Sequence, residues 1–369
     1  MTLEFIGMIQ PRQQSEIHPA SGPAIDPGYL RASARAHDEG GFDRILIGWF
    51  SNGPDGFQIA THAAAHTERV GFLVAHRPGF QAPTTAARAF ATLDQLSGGR
   101  AAIHVISGGD DADQKRDGDH LSKDERYART NEYVEILKKI WTAKNPVDHA
   151  GTYYNITGAS PDVRTVQQPR IPIYFGGASD AAIEVAGKHA DVYALWGETK
   201  AQVREIISRV RASAARHGRH DVRFSLSFRP ILAETEDAAW AKAERILAKV
   251  KQTRGIGPMG GTTSIGALAP QNAGSQRLLA AAALGDRPEG RLYTAIAAAT
   301  GARGNTTALV GTPRQVAEAF AEYHDLGVTT FLIRGFDPLE DAEEYGRTLL
   351  PITREVIAGR GGTRAFAAE

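Results

Sequence analysis

The chain has 369 residues, 42% of them hydrophobic and 23% charged, enough to bury a sizeable core as one large domain or two ordinary ones. Lys plus Arg and Asp plus Glu both number 42, so no overall field draws the protein to nucleic acid or an acidic membrane, and anion binding must come from local clusters. Cysteine is absent, which excludes disulfides, thiolate metal sites and cysteine nucleophiles together.

The N-terminal run Met1 to Ile9 is too short and too acidic for a signal peptide, and nowhere does an apolar run reach the roughly eighteen residues of a membrane span. A cytoplasmic location is the expectation. Short apolar runs at 3–9, 44–48, 70–76, 101–106, 171–175, 191–195, 223–228 and 329–333 each read as a buried strand. Helical patterns lie between them at 28–39, 57–66, 84–96, 125–141, 181–188, 200–217, 238–249 and 313–325, with another at 339–357. Eight βα units predict a single α/β domain over 1–369, a (β/α)8 TIM barrel with insertion segments at the C-terminal mouth. Arg12, Asn52, His76, Ser107, Ser179, Trp196, Arg229 and Arg334 follow strands and are expected to converge on that mouth.

Three segments exceed ordinary βα loops. They are the acidic stretch 108–123, the excursion 145–170, and the longest, about 252–306, which opens on a glycine-rich run from Gly255 and contains a helix at 275–284. That insertion reads as a hinged lid, or else as a packed decoration. Two strand exits are built of small residues: Ser107-Gly-Gly after the fourth strand, and Gly176-Gly177-Ala178-Ser179 after the fifth. Paired glycines let backbone approach an anion, Ser179 adds a hydroxyl, and the helix that follows offers free amides and a positive dipole end. The pair reads as the seat of a phosphorylated cofactor, the plainer alternative being a tight βα turn. Arg126 and Tyr127 would add a cation and a hydroxyl to the same phosphate, or belong to the surface. His62 and His66 share a helix face without a third ligand, so no metal site is expected.

Pro83-Thr-Thr-Ala-Ala-Arg-Ala-Phe-Ala-Thr-Leu-Asp-Gln-Leu-Ser-Gly-Gly-Arg100, Gln168-Pro, Tyr174-Phe-Gly-Gly-Ala-Ser-Asp180, Trp196-Gly-Glu198 and Thr307-Ala-Leu-Val-Gly311 together resemble the bacterial luciferase-like flavin monooxygenases. The likeness runs from the first strand to Pro351 and is nearest to the alkanesulfonate monooxygenase branch, which Gly274-Ser-Gln-Arg-Leu-Leu also fits. The resemblance implies reduced FMN delivered by a separate NAD(P)H-dependent flavin reductase, molecular oxygen as co-substrate, and a homodimer or homotetramer. In that branch a small anionic organosulfonate is cleaved at its carbon–sulfur bond to sulfite and an aldehyde. It implies Ala75, His76, His104, Ser107, Tyr127, Gly176, Gly177, Ala178 and Ser179 around the flavin.

On the substrate side the chain departs from the branch. An Arg-x-His pair is replaced by Ser227-Phe-Arg229, a Tyr-x-His pair by Phe336-Asp-Pro338, and an entry-loop cysteine by a residue near Asn52. Arg12, Arg77, Arg229, Arg303 and Arg334 are expected to form a cationic mouth suited to a sulfonate, carboxylate or phosphate, unless paired with acids such as Asp55, Asp110, Glu198 and Asp337. Arg229 and Arg303 are the expected stabilisers of developing negative charge, His18 and His76 possible proton donors, and Trp196, Trp49 and Phe336 the apolar walls. Oxygenation of an alkane, deazaflavin-dependent dehydrogenation and flavin binding without catalysis stay open.

Overall fold

The computed structural model describes residues 3–160, 162–253, 270, 272–302 and 304–366. Its strands are β1 (Glu4–Ile9), β2 (Arg44–Ile47), β3 (Gly71–His76), β4 (Ala101–Val105), β5 (Val147–Ala150), β6 (Asn155–Ala159), β7 (Ile173–Gly176), β8 (Val192–Trp196), β9 (Arg223–Leu232), β10 (Leu292–Tyr293), β11 (Ala308–Gly311) and β12 (Val328–Ile333). β1 to β4, β7 to β9 and β12 are the eight strands expected from the apolar runs, and with their intervening helices they make a (β/α)8 barrel. The chain divides into two compact units, one of 44–194 with 208–222 and one of 1–43, 195–207 and 223–369.

In the 44–194 unit the parallel strands follow the order β2-β3-β4-β7-β8, with Leu46 beside Leu73, Val74 beside Ile103, and Ile103 beside Ile173. Every residue of β3 is buried, the signature of a parallel strand covered on both faces. The helix Pro83–Leu96 opens on a proline, whose missing N–H is no loss in the first turn. It ends in Ser97-Gly98-Gly99, with φ of +67° and +86° at the two glycines. The buried Asp94 carboxylate then ties three segments together, accepting from the amides of Ala101, Val166 and Gln167 at 3.3, 2.7 and 3.0 Å and from Gln167 Nε2 at 2.6 Å. The 145–170 excursion is an antiparallel β5–β6 hairpin. Glu132 fastens it by accepting from the amides of Thr152, Tyr153 and Tyr154 and from His149 Nε2.

In the other unit the order is β10-β11-β9-β12-β1, parallel except for β10 against β11. The insertion is packed where it is described. Ile246, Leu247 and Val250 of the helix Glu236–Gln252 share a core with Tyr293, Ile296 and Val310, and Arg277 of the helix Ala273–Ala282 is held by Glu198 and Glu205. The glycine-rich opening expected from Gly255 lies outside the described residues. The expected helix 339–357 is Pro338–Glu344, a π-helical turn Tyr345–Leu349, and then Leu350–Phe366. At that turn Gly346 lies against Gly40, where a Cβ would come within 2.5 Å of the Gly40 Cα. Among the described residues no helix is long and apolar enough to cross a membrane.

Candidate active site

In the 44–194 unit the carboxyl ends of β3, β4 and β7 carry the expected cofactor residues. Gly177 has φ +136°, and a Cβ there would lie 2.8 Å from both the Ala182 Cβ and the Tyr127 Oη. Only glycine fits, and it brings the Tyr127 hydroxyl onto the backbone of the turn. Tyr193 Oη donates to the Gly177 carbonyl. Ser179 is the N-cap of the helix Asp180–His189, its Oγ accepting from Ala182 N at 3.3 Å, and it also hydrogen-bonds the Tyr127 hydroxyl, whose pKa burial nonetheless raises. Ala178 is half-buried between them, and Asp180 turns outward to Arg209. Gly176, Gly177, Ala178, Ser179 and Tyr127 are therefore brought together at a helix N-terminus. Next to them, a Cβ on Gly176 would sit 3.5 Å from the His104 ring, and β3–β4 pairing sets Ala75 beside His104. His104 Nδ1 has no partner, and burial pushes its pKa down to about 4.

Three expectations in this unit are corrected. His76 has 0% exposure: its Nε2 meets Tyr133 Oη at 2.7 Å, its ring lies 5.5 Å from Phe90 and 5.9 Å from Trp49, and burial pushes its pKa down to about 3. It is held neutral among aromatic rings, which removes the support for a proton-donor role, while its Nδ1, like that of His104, is left without a partner. Arg126, only 3% exposed, donates to the carbonyls of Ser107 and Leu121 at 3.2 and 2.7 Å and to Asp111 at 2.7 Å, so it braces the loop instead of meeting a phosphate. Ser107 shares a 3.0 Å hydrogen bond with Thr130, and the open side of Gly108 is filled by Gln114, whose Nε2 would be 2.0 Å from a Cβ there. The small-residue exit at Ser107-Gly-Gly is thus already covered by protein.

In the other unit the expected cationic mouth is largely neutralised. Arg229, 1% exposed, donates through Nη1 and Nη2 to the two Glu16 oxygens at 3.0 and 2.9 Å, through Nε to the Arg334 carbonyl at 2.7 Å, and through Nη2 to the Gly335 carbonyl at 2.7 Å. Its face rests 3.9 Å from the centre of the Phe336 ring. Arg334 reaches the same carboxylate at 2.8 Å. Burial alone would raise the Glu16 pKa, but the two guanidinium groups hold it down to about 2. Arg12 is spent on Gln14 and on the carbonyls of Gly22 and Pro23, and His18 meets Asp337. Arg77, in the 44–194 unit, is paired with Asp113. Arg303 lies outside the described residues. Trp196 is half-buried, 3.1 Å from where a Gly274 Cβ would stand. Behind it Asn305 joins two segments, donating to Ser227 O and Oγ at 2.8 and 2.9 Å and accepting from Gly197 N at 3.3 Å.

The acids expected to neutralise arginines are otherwise engaged. Asp55 and Asp110 are helix N-caps, Glu198 holds Arg277, and Asp337 holds His18. The partner that reasoning from sequence missed is Glu16, the only acid between Phe5 and Ile25. That isolation, in the loop after the first strand, was the available signal.

Comparison with known proteins agrees with the fold. Residues 3–330 match the model of the luciferase-like monooxygenase family. A riboflavin lyase (RcaE), solved with modified FMN and riboflavin, is similar at 20% identity and a TM-score of 0.78, over 96% of this chain and 92% of that one. An EDTA monooxygenase (EmoA) from Chelativorans sp. BNC1 is similar at 19% identity and 0.73, over 96% and 94%. DmoA from Hyphomicrobium sulfonivorans is similar at 23% and 0.75, over 96% and 88%.

Proposed function

Since the chain belongs to the luciferase-like monooxygenase family, we propose that it is a two-component, reduced-FMN-dependent monooxygenase that cleaves the carbon–sulfur bond of a small anionic organosulfonate to sulfite and an aldehyde. The observation that carries the flavin reading is the cradle at Gly177. The residue has φ +136°, the place of its missing side chain is taken by Tyr127 Oη and the Ala182 Cβ so that the hydroxyl lies against the turn, and Ser179 caps the helix that begins there. Backbone amides, two hydroxyls and a helix dipole of positive sign suit a phosphate monoester. The orphaned His104 Nδ1 is a buried, unpartnered polar group at the neighbouring strand end, suited to a flavin ring heteroatom. The residues present therefore fit FMN: Gly177, Ser179 and Tyr127 would hold the phosphate, with Ala75, Gly176 and His104 along the ring. When bound and reduced, the flavin supplies the electrons that activate molecular oxygen.

This chain's own part is to bind, orient and exclude water. Trp196 offers an apolar wall held by Gly274 and the Asn305 network. Two buried guanidinium groups share one carboxylate at Glu16, leaving an excess of positive charge suited to an anionic substrate. A similar structure, the EDTA monooxygenase, is named for a polyanion. A separate flavin reductase using NADH or NADPH is the proposed partner, and a homodimer or homotetramer the proposed assembly.

The test is sulfite release from a panel of short alkyl and sugar sulfonates, with a flavin reductase, NADH, FMN and oxygen. Sulfite from one class identifies the substrate type. Oxygen consumption with hydrogen peroxide and no sulfite from any sulfonate overturns the carbon–sulfur assignment.

A further inference from the structure

The pattern of hydrogen bonds around Glu16 separates two arginines that look equivalent in sequence. Arg229 is nearly saturated: four of its five N–H groups donate to Glu16 or to the carbonyls of Arg334 and Gly335, and its face is covered by Phe336. One Nη1 hydrogen is all that is left of it for a ligand. Arg334 is different. One Nη2 hydrogen goes to Glu16, its Nη1 has only the Met8 sulfur at 3.6 Å, a weak acceptor, and its other N–H groups have no acceptor among the described residues. Its side chain keeps 13% exposure against 1% for Arg229. Burial beside Arg229 pulls its pKa down to about 10, the sign of a cation short of counter-charge.

A second orphan stands in the same unit. Gln10 directly follows β1, the parallel neighbour of β12 from which Arg334 emerges. It is 1% exposed, its Oε1 accepts from Gln14 Nε2 at 3.4 Å, and its own Nε2 has no partner. Met8, the residue under the Arg334 guanidinium, lies two positions before Gln10 and so on the same side of the strand. A buried amide N–H left unpaired is destabilising, and an under-compensated guanidinium more so. One acceptor group bearing negative charge answers both.

We infer that Arg334 and Gln10 form the receptor for the oxyanion head of the substrate, and that Arg229 is a positioning residue which, with Glu16, fixes the Arg334 backbone and guanidinium. The head is a sulfonate or a carboxylate, groups that present the same oxygen acceptors. The receptor rests on the monooxygenase reading only for the name of the substrate, because its geometry lies wholly in the unit without the flavin cradle.

The experiment is calorimetric titration of the full chain with 1-butanesulfonate, butanoate and 1-butanol, beside anaerobic titration with reduced FMN. Wild-type protein should bind at least one anion and discriminate against the alcohol. R334M should weaken that anion at least tenfold while reduced-FMN affinity stays within twofold, R334K should recover part of the loss, and Q10L should weaken it about threefold. Preference for the sulfonate or for the butanoate identifies the head group. Equal anion binding by R334M and wild type, or wild-type preference for 1-butanol, overturns the receptor. Arg334-dependent anion binding without any binding of reduced FMN would support the receptor and overturn the flavin reading. Should R334M not fold, the order wild type, Q10L, R334K in anion affinity carries the same decision.

Discussion

Glu16→Gln removes the one carboxylate that two buried arginines share. A carboxyl held at about 2 in place of its ordinary 4.5 corresponds to about 3 kcal/mol of folding stability at neutral pH. Breaking a buried ion pair by deleting one partner costs about 3–5 kcal/mol by a separate route, because a charge is left uncompensated. With Glu16 only 4% exposed and bonded by three guanidinium N–H groups, solvent screening does little to reduce either figure. The sign of the pH effect follows. A depressed carboxyl stabilises fully above its unfolded value of 4.5, and that contribution fades as pH falls toward 2. Urea unfolding followed by tryptophan fluorescence should therefore show E16Q about 3 kcal/mol less stable than wild type at pH 7, with the gap closing below pH 4.5. A gap under about 1 kcal/mol at pH 7, or one that keeps its size in acid, would refute the reasoning.

Gly177→Ala places a Cβ 2.8 Å from two atoms at φ +136°; strain and overpacking of about 1–3 kcal/mol each should lower the unfolding midpoint and reduce reduced-FMN affinity more than tenfold, measured by anaerobic titration. Tyr127→Phe removes one hydroxyl at that cradle and should weaken FMN by about fivefold, the equivalent of about 1 kcal/mol, with little change in thermal stability. His37, His76 and His104 are held neutral by burial, at about 4, 3 and 4. Because the unfolded chain binds their protons first, their stabilising contribution is full above pH 6.5 and is lost as pH falls toward 4. A melting series from pH 7 to 4.5 should therefore decline less steeply for H76L than for wild type, and equal slopes would remove His76 from the account.

The barrel was legible because a parallel strand buried on both faces must be written as a continuous apolar run, as in Phe72-Leu-Val-Ala75, and each such run has its own helix. The β5–β6 hairpin was not, since its residues are mostly exposed and it is held by the side chain of a distant helix residue, Glu132. Gly177 was readable because small residues before a helix restrict the chemistry to close approach. The pairing of Arg229 and Arg334 with Glu16 was not legible. Their positions after strands follow from the alternation, but where a guanidinium turns depends on a carboxylate more than 200 positions away in sequence, as for Arg229 and Glu16 at a separation of 213. His76 was misjudged for a related reason: its aromatic enclosure comes from Trp49, Phe57, Phe90 and Tyr133, scattered over several elements.

β1 finds one of its neighbours, β12, at the far end of the chain, Glu4 beside Thr330 and Ile6 beside Leu332. During vectorial synthesis this β1–β12 pairing must therefore wait for almost the whole polypeptide, whereas β2, β3, β4 and β7 follow one another within 44–176. Closing so long a loop is entropically slow. The unit bearing Gly177 has its strands in hand while the ribosome is still at work, but Gln10 and Arg334 belong to a unit that only the last part of translation completes, so a prematurely released chain would lack the strand from which Arg334 emerges.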